Sequence, residues 1–302
     1  MGLLRLLILF LIFCYDTLIK AGKTECLDVI EYKKVRDSFH STSSSVGVVN
    51  WAIIGLAFRF EPGTSKRNQL LANVIKRFSP PSFEARNITI IIFSEKTFSP
   101  EQMTHWRNQF NDTAHFQFID TKQNRNPYPH KPFGYEYMCK FFTIDMYEYL
   151  KPYDYYIRLD TDCLILSLEY NIFDWVEKNQ IEYAWANSGM ESHGPTLSSL
   201  PQWVQNYSDA YLIRPSHLMG RPLSDAMHFY NNFHVGSVPF FFRQDVQNFL
   251  VCARESPFFY DHRWGDAVVQ VGLERPTYIT IIYFDLHYFG IYRYSFLSPF
   301  LP

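Results

Sequence analysis

The chain of 302 residues has room for one large domain or two small ones, with enough apolar surface for a core. A net charge of -2 excludes a broad basic field for nucleic acid, and five cysteines are too few for a dense disulfide scaffold. Mean hydropathy of -0.17 excludes a polytopic membrane protein, and 18% aromatic residues with only 13 glycines exclude a low-complexity chain.

The N-terminus comes first. Arg5 precedes an apolar run from Leu6 to Tyr15, which Asp16 breaks. That run is too short to cross a bilayer comfortably and suits the core of a signal peptide. Residues 1–21 therefore read as a signal, either cleaved after Ala21 or kept as a short type II anchor, and residues 22–45 as a short stem. Three acceptor sequons, Asn87-Ile88-Thr89, Asn111-Asp112-Thr113 and Asn206-Tyr207-Ser208, agree with a secretory route. Beyond the signal, Cys26, Cys139, Cys163 and Cys252 can form at most two disulfides, and their pairing stays open.

Further along, short apolar runs alternate with helical stretches. Val48 to Phe58 reads as a buried strand, and Lys66 to Phe78 as a helix ended by Pro80-Pro81. Ile88 to Phe93 is a β-branched strand, a helix starts near Pro100, and His115 to Ile119 makes a third strand. A helix from Tyr135 to Leu150 leads into a fourth strand, Tyr155 to Leu159. This alternation predicts an α/β fold with a mainly parallel sheet flanked by helices, in one domain over residues 46–302. The segment Ser188 to Pro222, with its Gly, Ser, Pro and His, reads as a long irregular loop of functional character.

Ligands of such sheets sit beyond the carboxyl ends of the strands, which directs attention to the end of the fourth. It reads Arg158-Leu159-Asp160-Thr161-Asp162. Two carboxylates two residues apart at a strand end can offer oxygen ligands to a hard divalent cation. A cation so held bridges the diphosphate of a nucleotide sugar and neutralises charge on the leaving group. The bare pair is also a common turn sequence; its place at the end of an apolar strand gives it weight.

Four blocks surround this pair. Gly134-Tyr135-Glu136-Tyr137-Met138-Cys139-Lys140-Phe141-Phe142 precedes the strand that ends in Asp160-Thr161-Asp162. His228-Phe229-Tyr230-Asn231-Asn232-Phe233 and Phe258-Phe259-Tyr260 with Arg263-Trp264-Gly265-Asp266-Ala267 follow it. In this order they resemble the fungal α-1,2-mannosyltransferases, glycosyltransferase family 15. The resemblance implies a GT-A nucleotide-diphospho-sugar transferase fold and retaining transfer of mannose from GDP-mannose to a glycan or glycoprotein acceptor. It also implies Mn2+ or another divalent cation, and a place in the Golgi lumen.

Residue by residue, the resemblance puts Asp160 and Asp162 where the family has a Glu-Pro-Asp metal and diphosphate motif. Arg158 matches a family arginine and is expected to contact the donor phosphates; Tyr135 matches a family tyrosine near the nucleotide. Asp266 is the expected carboxylate for acceptor or sugar contact. His287 lies near a family histidine that completes the metal site, although Gly290 occupies the strict match. One departure concerns catalysis itself: Asn232, Phe233 and His234 stand where the family reads Asn-Phe-Glu. A double displacement needs a carboxylate at the anomeric carbon. His234 is expected instead to hydrogen-bond a sugar hydroxyl, in an ion-pair mechanism without a covalent intermediate. A relative that binds a glycan or nucleotide sugar without turning it over is the second reading of the same departure.

Overall fold

The computed structural model describes residues 48–57, 65–78, 86–94, 98–110, 115–121, 134–161, 163–165, 171–211, 227–274, 281–283 and 291–293. The expected signal and stem, the Asn111 sequon, Asp162 and His287 lie outside the described residues. No helix among the described residues is long and apolar enough to cross a membrane.

In chain order the strands are β1 (Asn50–Ala57), β2 (Asn87–Ser94), β3 (His115–Asp120), β4 (Tyr155–Leu159), β5 (Cys163–Ile165), β6 (Tyr183–Met190), β7 (Met227–Ser237), β8 (Ile281–Tyr283) and β9 (Ile291–Arg293). Seven of them form one mixed sheet in the order β3-β2-β1-β4-β7-β6-β8. β1 runs parallel to β2 and β4, β2 to β3, and β6 to β8, whereas β7 is antiparallel to both β4 and β6. β5 and β9 make a separate antiparallel ribbon.

Ten helices accompany them among the described residues: α1 (Ser65–Ile75), α2 (Pro100–Asn108), α3 (Gly134–Lys140), α4 (Tyr147–Leu150), α5 (Ile172–Asn179), α6 (Gly194–Ala210), α7 (Val238–Phe241), α8 (Gln244–Glu255), α9 (Phe258–Asp261) and α10 (Asp266–Glu274). Local chemistry explains their starts. Ser99 and Gln102 form a reciprocal capping box at α2 with Pro100 in its first turn, and Asn171 caps α5 through its side-chain oxygen. Between α3 and α4 the helix widens into a π-turn, Phe141–Asp145, which carries Phe141, Phe142, Thr143 and Ile144 into the core.

The pleat divides the core into two layers. Trp51, Ile53, Ile157, Leu159, Phe233 and Val235 face one layer, with α1 and α5 residues such as Leu71 and Phe173. Ala52, Ile54, Tyr156, Tyr183 and Trp185 face the other, with the π-turn, α8 and α10. Strands buried on both faces read as continuous apolar runs, so β1, β2 and β4 were predicted with boundaries within a residue or two. Over residues 188–211 the segment differs from its expected irregularity, and the rest of that expected loop, residues 212–222, lies outside the described residues. Residues 188–211 complete β6 and then build α6, a helix of 17 residues that buries Thr196, Leu200, Val204 and Tyr207. Their three- and four-residue spacing is helical, and the interior Pro201 with its neighbouring serines obscures it.

Candidate active site

The site forms where β4 ends. Asp160 directly follows the strand, and its backbone N–H donates to Asn232 O at 2.8 Å, extending the β4–β7 pairing by one residue. Cys163 N–H donates to Asp160 O at 3.1 Å and closes the turn into β5. The Asp160 main chain is thereby fixed from two sides, while its side chain stays about one-third exposed.

Arg158 organises the polar groups around it. Its side chain is 1% exposed and shares the face of Tyr156, so it points into the layer beneath α10. Its Nε and Nη2 donate to the two carboxylate oxygens of Asp160 at 3.2 and 3.3 Å. Its Nη1 donates to Asp266 Oδ2 at 2.5 Å. The guanidinium carbon lies 3.9 Å from the ring centroid of Phe142, on the π-turn. Burial pulls its pKa down, but the charges of Asp160 and then Asp266 outweigh that, and the net shift is upward. Arg158 is thus occupied by two carboxylates and an aromatic platform.

Asp266 opens α10 and is 6% exposed. A carboxylate in a first helical turn is favoured by the helix dipole. The buried Cys139 thiol and the Tyr135 phenol lie near it. Burial first, and the Asp266 charge second, raise the Cys139 pKa well above its ordinary value. The Tyr135 phenol is raised as well, by Cys139, by burial and by Asp266. Its ring is 46% exposed, with the Arg263 guanidinium 4.4 Å from the centroid.

His234 lies elsewhere than expected. It pairs across the ladder with Arg158 and Trp185 and is 0% exposed. Its Nε2 meets Tyr156 Oη at 3.2 Å, and its ring packs against Tyr156 and Tyr183. The side chain expected to touch a sugar is therefore a core residue. Gly236, two residues on, makes room for this contact: a Cβ there would stand 2.5 Å from Tyr156 Cε1.

The structure thus brings Arg158, Asp160, Asp266 and Tyr135 together and sets His234 in the packed layer behind them. Phe142, Cys139 and Asn232 complete the cluster. All three lie in motif blocks legible in the sequence, but an apolar platform, a thiol and a backbone carbonyl carry no chemical signal of their own. Among the described residues no group of three or more His, Cys, Asp or Glu side chains is arranged to hold a metal. The oxygens of Asp160 suit a hard cation, and the other expected ligands lie outside the described residues.

A mixed sheet of this order, with acidic residues at the end of its central parallel strand, defines a GT-A glycosyltransferase fold. Solved structures agree in fold. The core-mannan synthase A of Aspergillus fumigatus, solved in a Mn/GDP form, superposes with a TM-score of 0.58 at 18% identity, over 83% of this chain and 75% of that one. The mannosyltransferase Ktr4p of Saccharomyces cerevisiae gives a TM-score of 0.59 at 16% identity, over 88% and 82%.

The chain belongs to the glycolipid 2-alpha-mannosyltransferase family, whose signature matches residues 86–274. Probable mannosyltransferase MNT3 of Candida albicans is 26% identical over 231 residues, which are 70% of this chain and 57% of the relative. Glycolipid 2-alpha-mannosyltransferase 1 of the same organism is 28% identical over 150 residues, 45% of this chain and 34% of that one. The chain therefore spans about half the length, or less, of these relatives.

Proposed function

We propose that this chain transfers mannose from GDP-mannose to a glycan acceptor, with retention in the α-1,2 sense and with a divalent cation, manganese, at the donor diphosphate. The observation that carries the reading is the pair Asp160 and Asp266, held on the one buried guanidinium of Arg158 at the end of β4 in a chain of this family. The relatives named mannosyltransferases and the Mn/GDP form of the Aspergillus structure support the donor and the metal.

Asp160, with Asp162 and His287, would hold the cation, which when bound would neutralise charge on the leaving diphosphate. Arg158 holds Asp160 and Asp266 at fixed spacing. Asp266 accepts a hydrogen bond from a sugar hydroxyl, and Tyr135 lies beside it. With His234 buried where the family carries a carboxylate, the reaction proceeds without a covalent intermediate. The bond from the anomeric carbon to the phosphate oxygen breaks, the acceptor oxygen bonds the anomeric carbon on the same face, and its proton passes to the diphosphate. The disulfide-bonded Cys252, the sequons and the N-terminal apolar run support a place in the secretory pathway, in the Golgi lumen.

His234 also favours the second reading, a relative that binds the nucleotide sugar or a glycan without transfer. Thermal shift with GDP, UDP and GDP-mannose, with and without Mn2+, tests the donor reading, since a ligand of the folded state raises the melting temperature. Stabilisation by GDP that needs Mn2+ and fails in Asp160→Ala is the expected result; stabilisation by UDP alone contradicts it. Release of GDP from GDP-mannose separates the transferase from the binding relative.

A further inference from the structure

Arg158 was the arginine expected at the donor phosphates, and it is committed to Asp160 and Asp266. A second arginine adjoins the same cluster. Arg263 is exposed, and among the described residues it takes part in no ion pair. Its guanidinium carbon lies over the Tyr135 ring, 4.4 Å from the centroid. A guanidinium placed over a ring keeps N–H groups to donate, and their fork matches phosphate oxygens.

Its backbone is held at a cost. Arg263 has φ of 51°, in the left-handed region that non-glycine residues rarely adopt. Such conformations persist where the surroundings impose them, and they gather at ligand sites. Here α6 imposes it. Thr196 Oγ1 donates to the carbonyls of His262 and Arg263 at 3.1 and 3.3 Å. Trp264 Nε1 donates to Ser199 Oγ at 2.9 Å, and Trp264 N–H to Phe258 O at 3.3 Å. The turn so clamped presents Arg263 outward and delivers Asp266 inward.

Charge makes this arrangement useful. Among the described residues the cluster holds two carboxylates to one guanidinium, a setting in which a nearby cation adds useful charge for a diphosphate. A fixed, exposed cation beside it supplies that charge without being drawn into the cluster. We propose that Arg263 is a donor-binding residue whose guanidinium hydrogen-bonds the diphosphate of the nucleotide sugar, with Thr196 as the positioning residue that aims it. The inference rests on the nucleotide-sugar reading given above.

Calorimetric titration of GDP and of guanosine, each with Mn2+, into the full chain and its variants tests the proposal. Arg263→Gln is expected to weaken GDP binding about 10- to 100-fold, the loss of a charged hydrogen bond, and to leave guanosine binding unchanged. Arg263→Lys recovers part of the loss, since an ammonium lacks the fork. Thr196→Val weakens GDP binding to a smaller degree, and Thr196→Ser restores it. The melting temperature of each variant confirms that it is folded. Unchanged GDP affinity in folded Arg263→Gln overturns the proposal, as does a raised KM for methyl α-mannoside alone, which would move Arg263 to the acceptor. If the wild-type chain binds no GDP, the nucleotide-sugar reading fails first, and this proposal with it.

Discussion

Arg158 sits between two carboxylates with 1% of its side chain exposed, and this single guanidinium decides much of the site. Removing one partner of a buried ion pair leaves an uncompensated charge, so Arg158→Met is expected to cost about 3–5 kcal/mol in urea unfolding. Asp266→Asn keeps the shape and removes the charge. It should leave the chain folded and lower mannosyl transfer about a hundredfold, the scale of losing one electrostatic contact in a transition state. His234 behaves differently, because its partners are Tyr156 and Tyr183 in the core. His234→Phe is expected to cost about 1–3 kcal/mol of stability through the Tyr156 hydroxyl it leaves without that partner. Transfer should persist in the folded variant. A loss of transfer as deep as that of Asp266→Asn would return His234 to the reaction.

At the scale of elements, β7 shows how packing fixes the position of chemistry. Tyr156 fills the space where Gly236 lacks a Cβ and reaches His234 across the same pair of strands. Gly236→Ala places a Cβ against the Tyr156 ring and is expected to cost about 1–3 kcal/mol, measured by denaturant midpoint. Combining it with Tyr156→Leu should cost less than the two separate changes together, since both act on one contact. The buried strands were legible because unbroken β-branched runs such as Ile88 to Phe93 have few other places to go. The acidic strand end was legible for the same reason, since a charge after an apolar run marks a boundary. The partnership of Arg158 with Asp266 was not, because it joins residues far apart in the chain through a crossover that no local pattern encodes. Helix α6 was hidden by Pro201 and its serines, although Ser198 and Ser199 simply return their hydroxyls to the Pro195 carbonyl.

On the scale of the whole molecule, the layer beneath α8 and α10 is a store of buried protonated groups. Burial raises the pKa of Tyr147, Tyr156 and Tyr183 well above 10.0 and that of Cys139 well above 9.0. The folded state then holds protons that the unfolded chain releases, so stability is full below about pH 9 and falls as pH rises through 9 and 10. Urea midpoints should drop steeply as pH rises above about 9, with the tyrosinate absorbance of Tyr147, Tyr156 and Tyr183 appearing only as the chain unfolds. Tyrosinate absorbance of three core residues in the folded state would contradict this. The central claim concerns what the site does, and one measurement reaches it: the full chain with GDP-mannose, Mn2+ and methyl α-mannoside, followed by NMR of the anomeric protons. The account predicts a new α-linked mannobiose signal that disappears with EDTA and in Asp266→Asn. Folded protein that forms no disaccharide, or forms the β-linked one, contradicts it.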